Sequence, residues 1–418
     1  MTQQRDRHAE ARAILKTNDR GTYTIPTAGL YPYQWNWDSA IAAIGFATFD
    51  IDRAWLELET LMTGQWSDGM VPHILFHRAD PGYFPGPEIW AGVGPIASSG
   101  VTQPPIATSM ARLIWERDRA AGVDRLRSLW PRLRAWHGWF LRWRLDQGAV
   151  WVSHPWESGR DNAPDWDGAM AGIDPVDVSP YTRRDTSHID GSMRPTKYDY
   201  DRYIWLVQHG RRLAWDPSAL QQHSPFRVAD PAMTFLLLRA HRDLLLMGQA
   251  LGLATTGMAQ EIALLEQGAA SLWNEDLGSY DARDTRTGAW SGTISNASML
   301  CWFAGIDNPR QSDQLARVLA AQPFGVASYD PAGDKFDGKR YWRGPVWAFM
   351  NFLICLGLEE HQHPLASQVR AKTHDLIAHH GFAEYFDPRD GTAAGGQAFT
   401  WTAAVWLAWA HERTGAAA

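Results

Sequence analysis

The chain has 418 residues, 45% of them hydrophobic, with 39 basic and 46 acidic side chains for a formal charge of -7. That length supports a large core in one or two domains. The mildly acidic balance argues against nucleic acid or an anionic membrane as a general partner.

Met1 to Asn18 carries charged residues throughout and lacks the apolar core of a signal peptide, so a soluble, cytoplasmic protein is expected. Cys301 and Cys355, the only cysteines, form no disulfide framework and agree with a reducing compartment. Apolar residues recurring three and four apart predict helices at about Arg5 to Thr17, Trp37 to Phe49 and Ile51 to Gln65. A long loop rich in Gly, Pro and Trp follows, Trp66 to Gln103, and then helices at Pro105 to Ala120 and Asp124 to Arg144. The arginines of this last helix read as a solvated face, because the chain is acidic and the run is not sustained. Pro131 marks a helix start or a kink.

The best strand pattern is Ala149 to Ser153. It opens a second long loop, Trp151 to Lys197, which begins Trp-Val-Ser-His-Pro-Trp-Glu-Ser-Gly-Arg-Asp-Asn-Ala-Pro. Two prolines and a glycine make that segment a poor helix, and it lacks strand alternation. It reads either as a turn capped by Asp161 and Asn162 or as an aromatic-lined loop holding catalytic carboxylates. Further helices are expected at Tyr200 to Trp215, Asp230 to Gly252, Thr256 to Asn274, Ser295 to Ala304 and Ser312 to Ala321. After the loop Phe324 to Gly344 come helices at Pro345 to Leu356 and Pro364 to His380, the loop Gly381 to Phe399, and a helix at Thr400 to Arg413. The greasy stretch Val346 to Leu358 is interrupted by Asn351 and is too short to cross a bilayer.

About thirteen helices with long loops gathered at one end fit an all-α protein, an (α/α)6 toroid or barrel in which inner and outer helices alternate. No flexible linker divides the chain. The expected organisation is therefore one catalytic domain, 1–418, with cap loops at about 66–103 and 151–197 over the active site. Twenty-three tryptophans are more than a core needs. Indole combines a flat apolar face with one donor, which suits the C–H faces and polar edges of a sugar, although most should fill helix interfaces.

Cofactor chemistry is not supported: there is no P-loop, and Gly395-Gly396 lacks the rest of a dinucleotide fingerprint. His73 and His77 stand four apart, but Pro72 and Asp68-Gly69 place them outside a helix and no HExxH is present, so no metal is expected. Asp330, Asp334 and Asp337 do not match an EF-hand. No nucleophile elbow surrounds a serine, and both cysteines sit in apolar helical contexts. What remains is carboxylates among aromatics: Asp38, Asp161 and Glu384. An apolar pocket keeps one carboxyl protonated as an acid while a polar setting keeps another ionised as a base, the minimal equipment for glycoside hydrolysis. Any one of the three could equally be a cap or an ion-pair partner.

Taken together, several stretches are more specific. They are Thr24 to Asp38, Asp68 to His73, Tyr83 to Pro87, Gln103 to Pro105, Trp151 to Pro164, Tyr341 to Trp347, and Glu384 with Phe399 to Ala404. On these the chain resembles glycoside hydrolase family 63, and within it the bacterial mannosylglycerate and glucosylglycerate hydrolases. The resemblance implies the same toroid and an inverting α-glycosidase acting on 2-O-α-mannosyl- or glucosyl-glycerate. It places the general acid on Asp161 and the base on Glu384. It implies a sugar-binding wall of Tyr31, Gln34, Trp35, Trp37 and Asp38, completed by Trp156, Tyr341, Trp342 and Trp347. His73, Tyr83 and Gln103 are implied polar or lid contacts. Arg194, aided by Tyr200, is suited to a two-pronged grip on the glycerate carboxylate, unless it pairs with Asp190 or Asp199. Two departures stand out: Ala163 replaces the family's serine after Asp-Asn, and the helix at Asp230 lacks an expected asparagine.

Three other readings remain open. They are a family 63 enzyme on neutral α-glucosides, a sugar epimerase using His154 and His188, and a non-catalytic carbohydrate-binding protein. The expected partner is a small glycoside; the sequence is silent on whether the chain forms a homo-oligomer.

Overall fold

A computed structural model describes residues 6–414, with the side chains of Ser187 and His188 left aside. The described residues are helix-rich, and their strands are confined to small antiparallel sheets. The predicted helices recur as Arg7–Asn18, Asn36–Phe46, Ile51–Thr63, Ala107–Arg117 and Gly122–Trp143, then Lys197–Arg212, Pro231–Ala250 and Met258–Ser271. Pro309–Ala320, Ala348–Glu360, Ala366–His380 and Thr400–Val405 complete the set. The predicted start of the first helix, Arg5, lies outside the described residues.

Two kinds of helix are visible in the burial pattern. Asn36–Phe46 is buried on every side, and Ala348–Glu360 is buried over most of its length, as expected of helices enclosed by others. Ile51–Thr63 and Gly122–Trp143 are amphipathic and bury one stripe each. Pro131 sits inside the latter helix. Its arginines are engaged with neighbours, Arg125 with Glu59 and Asp52, Arg134 with Glu261, and Arg132 with the carbonyl of Met62.

The buried elements touch in sequence around the molecule. Asn36–Phe46 packs on Ala107–Arg117, which packs on Pro231–Ala250, which meets the short turn Ser298–Cys301. That turn meets Ala348–Glu360, which meets Thr400–Val405, and this last helix returns to Asn36–Phe46. Among the described residues no helix is long and apolar enough to cross a membrane.

Two expected helices differ in form. Ser295 to Ala304 yields a 3-10 turn, Ser298–Cys301, because its first residues are drawn into a bridge with Tyr329 and Ser298 Oγ donates back to the Ser295 carbonyl. The last helix is α only over Thr400–Val405 and widens to a π turn over Trp406–Ala410. The expected strand forms as Ala149–Val152, inside a four-stranded sheet between Leu145–Asp146 and Val228–Ala229.

Candidate active site

All four long loops converge on one cavity lined by aromatic and charged side chains. The strand Gln34–Trp35 and the Asn36–Phe46 helix form its first wall. Side chains alternate across a strand. Trp35 faces the cavity, and Gln34 therefore faces away. Gln34 is fully buried, donating to Glu57 and contacting His77 at 2.7 Å, so it stands behind the wall rather than in it. Tyr31, Trp37 and Asp38 line the cavity as expected. Gln103 orients the helix that carries Asp38, its Oε1 accepting from Trp37 N at 3.2 Å. His73 and His77 point apart: His73 lines the cavity, while His77 stacks on Tyr23.

The loop that carries Asp161 is built by a 3-10 turn, Pro155–Ser158, that ends on Gly159 at φ 70°. A Cβ at Gly159 would be strained and would run into the Trp37 indole, so glycine lets the loop close on the sugar wall. Glu157 holds the loop from inside, accepting from Arg144 at 3.1 Å and from Ser153 N at 2.6 Å. Arg160 is 1% exposed and bridges Asp165 at 3.1 Å and Asp230 at 2.8 Å. Asp230 also caps the Pro231–Ala250 helix, so its place in this ion cluster accounts for the residue found there. Asn162 Oδ1 accepts from Trp342 N at 2.9 Å and joins the Asp161 loop to the opposite wall. There Trp342 and Trp347 stack at 4.0 Å, and Tyr341 adopts φ 48°, a left-handed conformation rare for a bulky residue.

Glu384 comes from the last long loop. Trp401 Nε1 donates to its carbonyl at 3.0 Å, and Gly396 N donates to its Oε2 at 2.7 Å. Gly395, at φ 70°, lies where any Cβ would meet the Glu384 carboxylate. The glycine pair thus lets backbone approach the acid. Arg194 reaches in from the end of the second long loop and pairs with Glu384, Nη2 to Oε2 at 2.8 Å. Its partner is neither Asp190 nor Asp199. Tyr31 Oη lies 2.9 Å from both Arg194 Nη1 and Glu384 Oε1.

Three carboxyl groups therefore face one cavity with unlike surroundings. Burial pushes Asp161 up to about 8; the charge on Glu384 adds to the shift and Arg194 opposes it. Burial, and then the charge on Glu384, also hold Asp38 well above the usual carboxylate range. Glu384 instead has a guanidinium, a phenol and a backbone N–H against it.

Of the sequence-expected residues, Tyr83, Trp156, Tyr200, Tyr341, Trp342 and Trp347 also line the cavity, so Gln34 alone is turned away. Lining residues that the sequence reading passed over include Phe84, Trp90, Arg184, Asp185, Phe399 and Trp401. Phe399 and Trp401 stood in a motif already singled out. Arg184 and Asp185 sit in a polar stretch, Thr182 to Ser187, that matched none of the motifs. His154 is fully engaged: Nε2 lies 3.0 Å from the Tyr203 carbonyl and Nδ1 accepts from Trp156 N. Burial lowers it to about 3. It holds the loop, while the side chain of His188, its partner in an epimerase reading, lies outside the described residues.

Residues 31–402 match a family model described as the mannosylglycerate hydrolase MGH1-like glycoside hydrolase domain. Mannosylglycerate hydrolase MGH1 of Selaginella moellendorffii is 42% identical over 410 residues, covering 95% of this chain and 84% of the relative. A glucosylglycerate hydrolase of Mycolicibacterium hassiacum is 32% identical over 447 residues, covering 96% and 97%. The crystal structure of a GH63 mannosylglycerate hydrolase from Thermus thermophilus with Tris and D-glycerate superposes with a TM-score of 0.93. It is 38% identical, covering 96% of this chain and 99% of that one.

Proposed function

The chain belongs to the mannosylglycerate hydrolase MGH1-like family of glycoside hydrolases, and from that premise we propose that it hydrolyses 2-O-α-D-mannosyl- or 2-O-α-D-glucosyl-D-glycerate with inversion at the anomeric carbon. One observation carries the reading. Asp161 and Glu384, far apart in sequence, face the same aromatic cavity in opposite electrostatic settings. Asp161 is poised to be protonated at neutral pH, and Glu384 lies against the Arg194 guanidinium at 2.8 Å.

The chemistry follows from that contrast. Asp161 gives its proton to the glycosidic oxygen as the bond from C1 to that oxygen breaks. Water attacks C1 from the opposite face and passes a proton to Glu384. Free sugar and glycerate leave; Glu384 gives up its proton to solvent and Asp161 takes one back. Room for the water requires the carboxyl groups to stand roughly 6.5–9.5 Å apart in the reacting complex. Trp37 and the stacked pair Trp342 and Trp347 line the cavity around the sugar ring, while Asp38 accepts from its hydroxyls. Arg194 grips the glycerate carboxylate, with Tyr200 beside it on the cavity wall.

The family relationship and the closed order of buried helices support an (α/α)6 toroid, forming one catalytic domain over 1–418. The loops at about 66–103 and 151–197 act as its cap. They touch through Asp80 and Arg184, at 2.9 Å, and through the stacked rings of Phe84 and Tyr181, at 4.7 Å. A cytoplasmic location fits the two buried, unpaired cysteines.

The test is a screen of the two glycerate glycosides with wild type, Asp161→Asn and Glu384→Gln. Wild type should release glycerate from at least one, and each variant should lose turnover while still binding the sugar. A wild type inert on both, or variants that turn over normally, would overturn the reading.

A further inference from the structure

The acceptor positions on Glu384 are crowded. A carboxylate offers about four lone-pair sites. Oε1 receives Tyr31 Oη at 2.9 Å and Arg194 Nη1 at 3.4 Å; Oε2 receives Arg194 Nη2 at 2.8 Å and Gly396 N at 2.7 Å. Four donors leave no good position from which this carboxylate could take a proton from water. Two of the four come from Arg194, and the 3.4 Å contact is the weakest.

Arg194 is used on one edge only. Its two terminal nitrogens serve Glu384 and Tyr31, whereas Nε is buried and has no hydrogen-bond partner among the described residues. A guanidinium can present two adjacent N–H groups along either edge, so the edge carrying Nε remains able to receive a second carboxylate side-on. Arg194 is 2% exposed and lies over the Tyr341 ring at 4.5 Å, a face along which the group can shift while staying shielded.

We propose that Arg194 couples the charge of the aglycone to the base: an anionic aglycone docks on its open edge, draws the guanidinium off Glu384 Oε1, and opens the acceptor position that the attacking water needs. The inference rests on the functional reading above, with Glu384 as base and a carboxylate on the leaving group. It adds that the carboxylate acts on the rate of the chemical step as well as on binding. A glycoside with a neutral aglycone would bind a site whose base is still occupied. Preference for an acidic aglycone then appears in kcat, where selection by a simple grip would appear in KM.

The test separates the sugar from the aglycone. α-D-Mannosyl and α-D-glucosyl fluoride place a sugar at the site with a leaving group that carries no carboxylate. Wild type should hydrolyse whichever fluoride matches its sugar faster when free D-glycerate is added, roughly three- to tenfold, the scale of one charge contact displaced in a partly hydrated site. Glycerol, its neutral analogue, should not substitute. Arg194→Gln should hydrolyse the fluoride at close to the rate that wild type reaches with glycerate, with no further response to it, because its base is no longer held; on the natural glycoside it should raise KM. Inhibition or no effect by glycerate on wild type that still turns over the glycerate glycosides would overturn the coupling and leave the function standing. The same holds if Arg194→Gln hydrolyses the fluoride no faster than wild type does without glycerate. Failure of wild type to turn over either glycerate glycoside would overturn both.

Discussion

Asp161 sets the pH behaviour. Its carboxyl is pushed up to about 8, chiefly by burial, and as the proposed general acid it acts in its protonated form. Activity is therefore present below that value and lost as pH rises through it. The alkaline limb of kcat/KM for the natural glycoside should fall near pH 8 in the free enzyme. Asp161→Asn should abolish that limb and lower kcat by about 10²–10⁴-fold. It should spare glycosyl fluorides by comparison, because fluoride leaves without a proton. Steady-state kinetics across pH checks both. At this scale the sequence was informative about chemistry and blind to direction. Carboxylates among aromatics pointed to Asp38, Asp161 and Glu384, and the family motifs assigned the roles. Neither said that Gln34 would turn its back on the site, since that depends on strand alternation in a two-residue strand too short to recognise. Nor did they say that Arg194 would find Glu384, a contact between residues distant in the chain.

Elements matter here through what lies behind them. The acid loop rests on Arg160, fully enclosed between Asp165 and Asp230, with Ser295 Oγ also in reach at 3.3 Å. Removing the cation would leave two buried carboxylates uncompensated. Arg160→Met should cost about 3–5 kcal/mol of stability by denaturant titration, more than a surface substitution could. The loop carrying Glu384 depends on Gly395 in a comparable way. Gly395→Ala places a methyl group against the Glu384 carboxylate, the proposed base, and adds left-handed strain, so kcat should collapse while the far-UV circular dichroism spectrum is retained. The helices were legible because their apolar spacing is regular and long. Ser295 to Ala304 was misjudged because a short apolar run cannot distinguish a helix from a buried turn whose first residues join a bridge. The glycine pair Gly395-Gly396 was visible but unexplained, since its partner is a side chain that only the folded loop brings near.

The whole molecule gathers four loops, set well apart along the chain, over one cavity. Their length and composition marked all four in the sequence. Their convergence needed the packing of the helices beneath, and in particular the return of Thr400–Val405 to Asn36–Phe46. Across the cavity mouth, the Asp80–Arg184 pair links the two cap loops, with side chains 21% and 20% exposed. A partly exposed pair contributes little, so Asp80→Ala should raise KM for the glycerate glycoside less than about fivefold and leave kcat nearly unchanged. A fall in kcat of the same size would show that the cap takes part in the chemical step. The central claim is that Asp161 and Glu384 act from opposite faces of the sugar with water between them. Proton NMR of the first sugar released from the α-linked glycerate glycoside tests it directly. The β-anomer should appear first and then mutarotate; the α-anomer appearing first would contradict the arrangement.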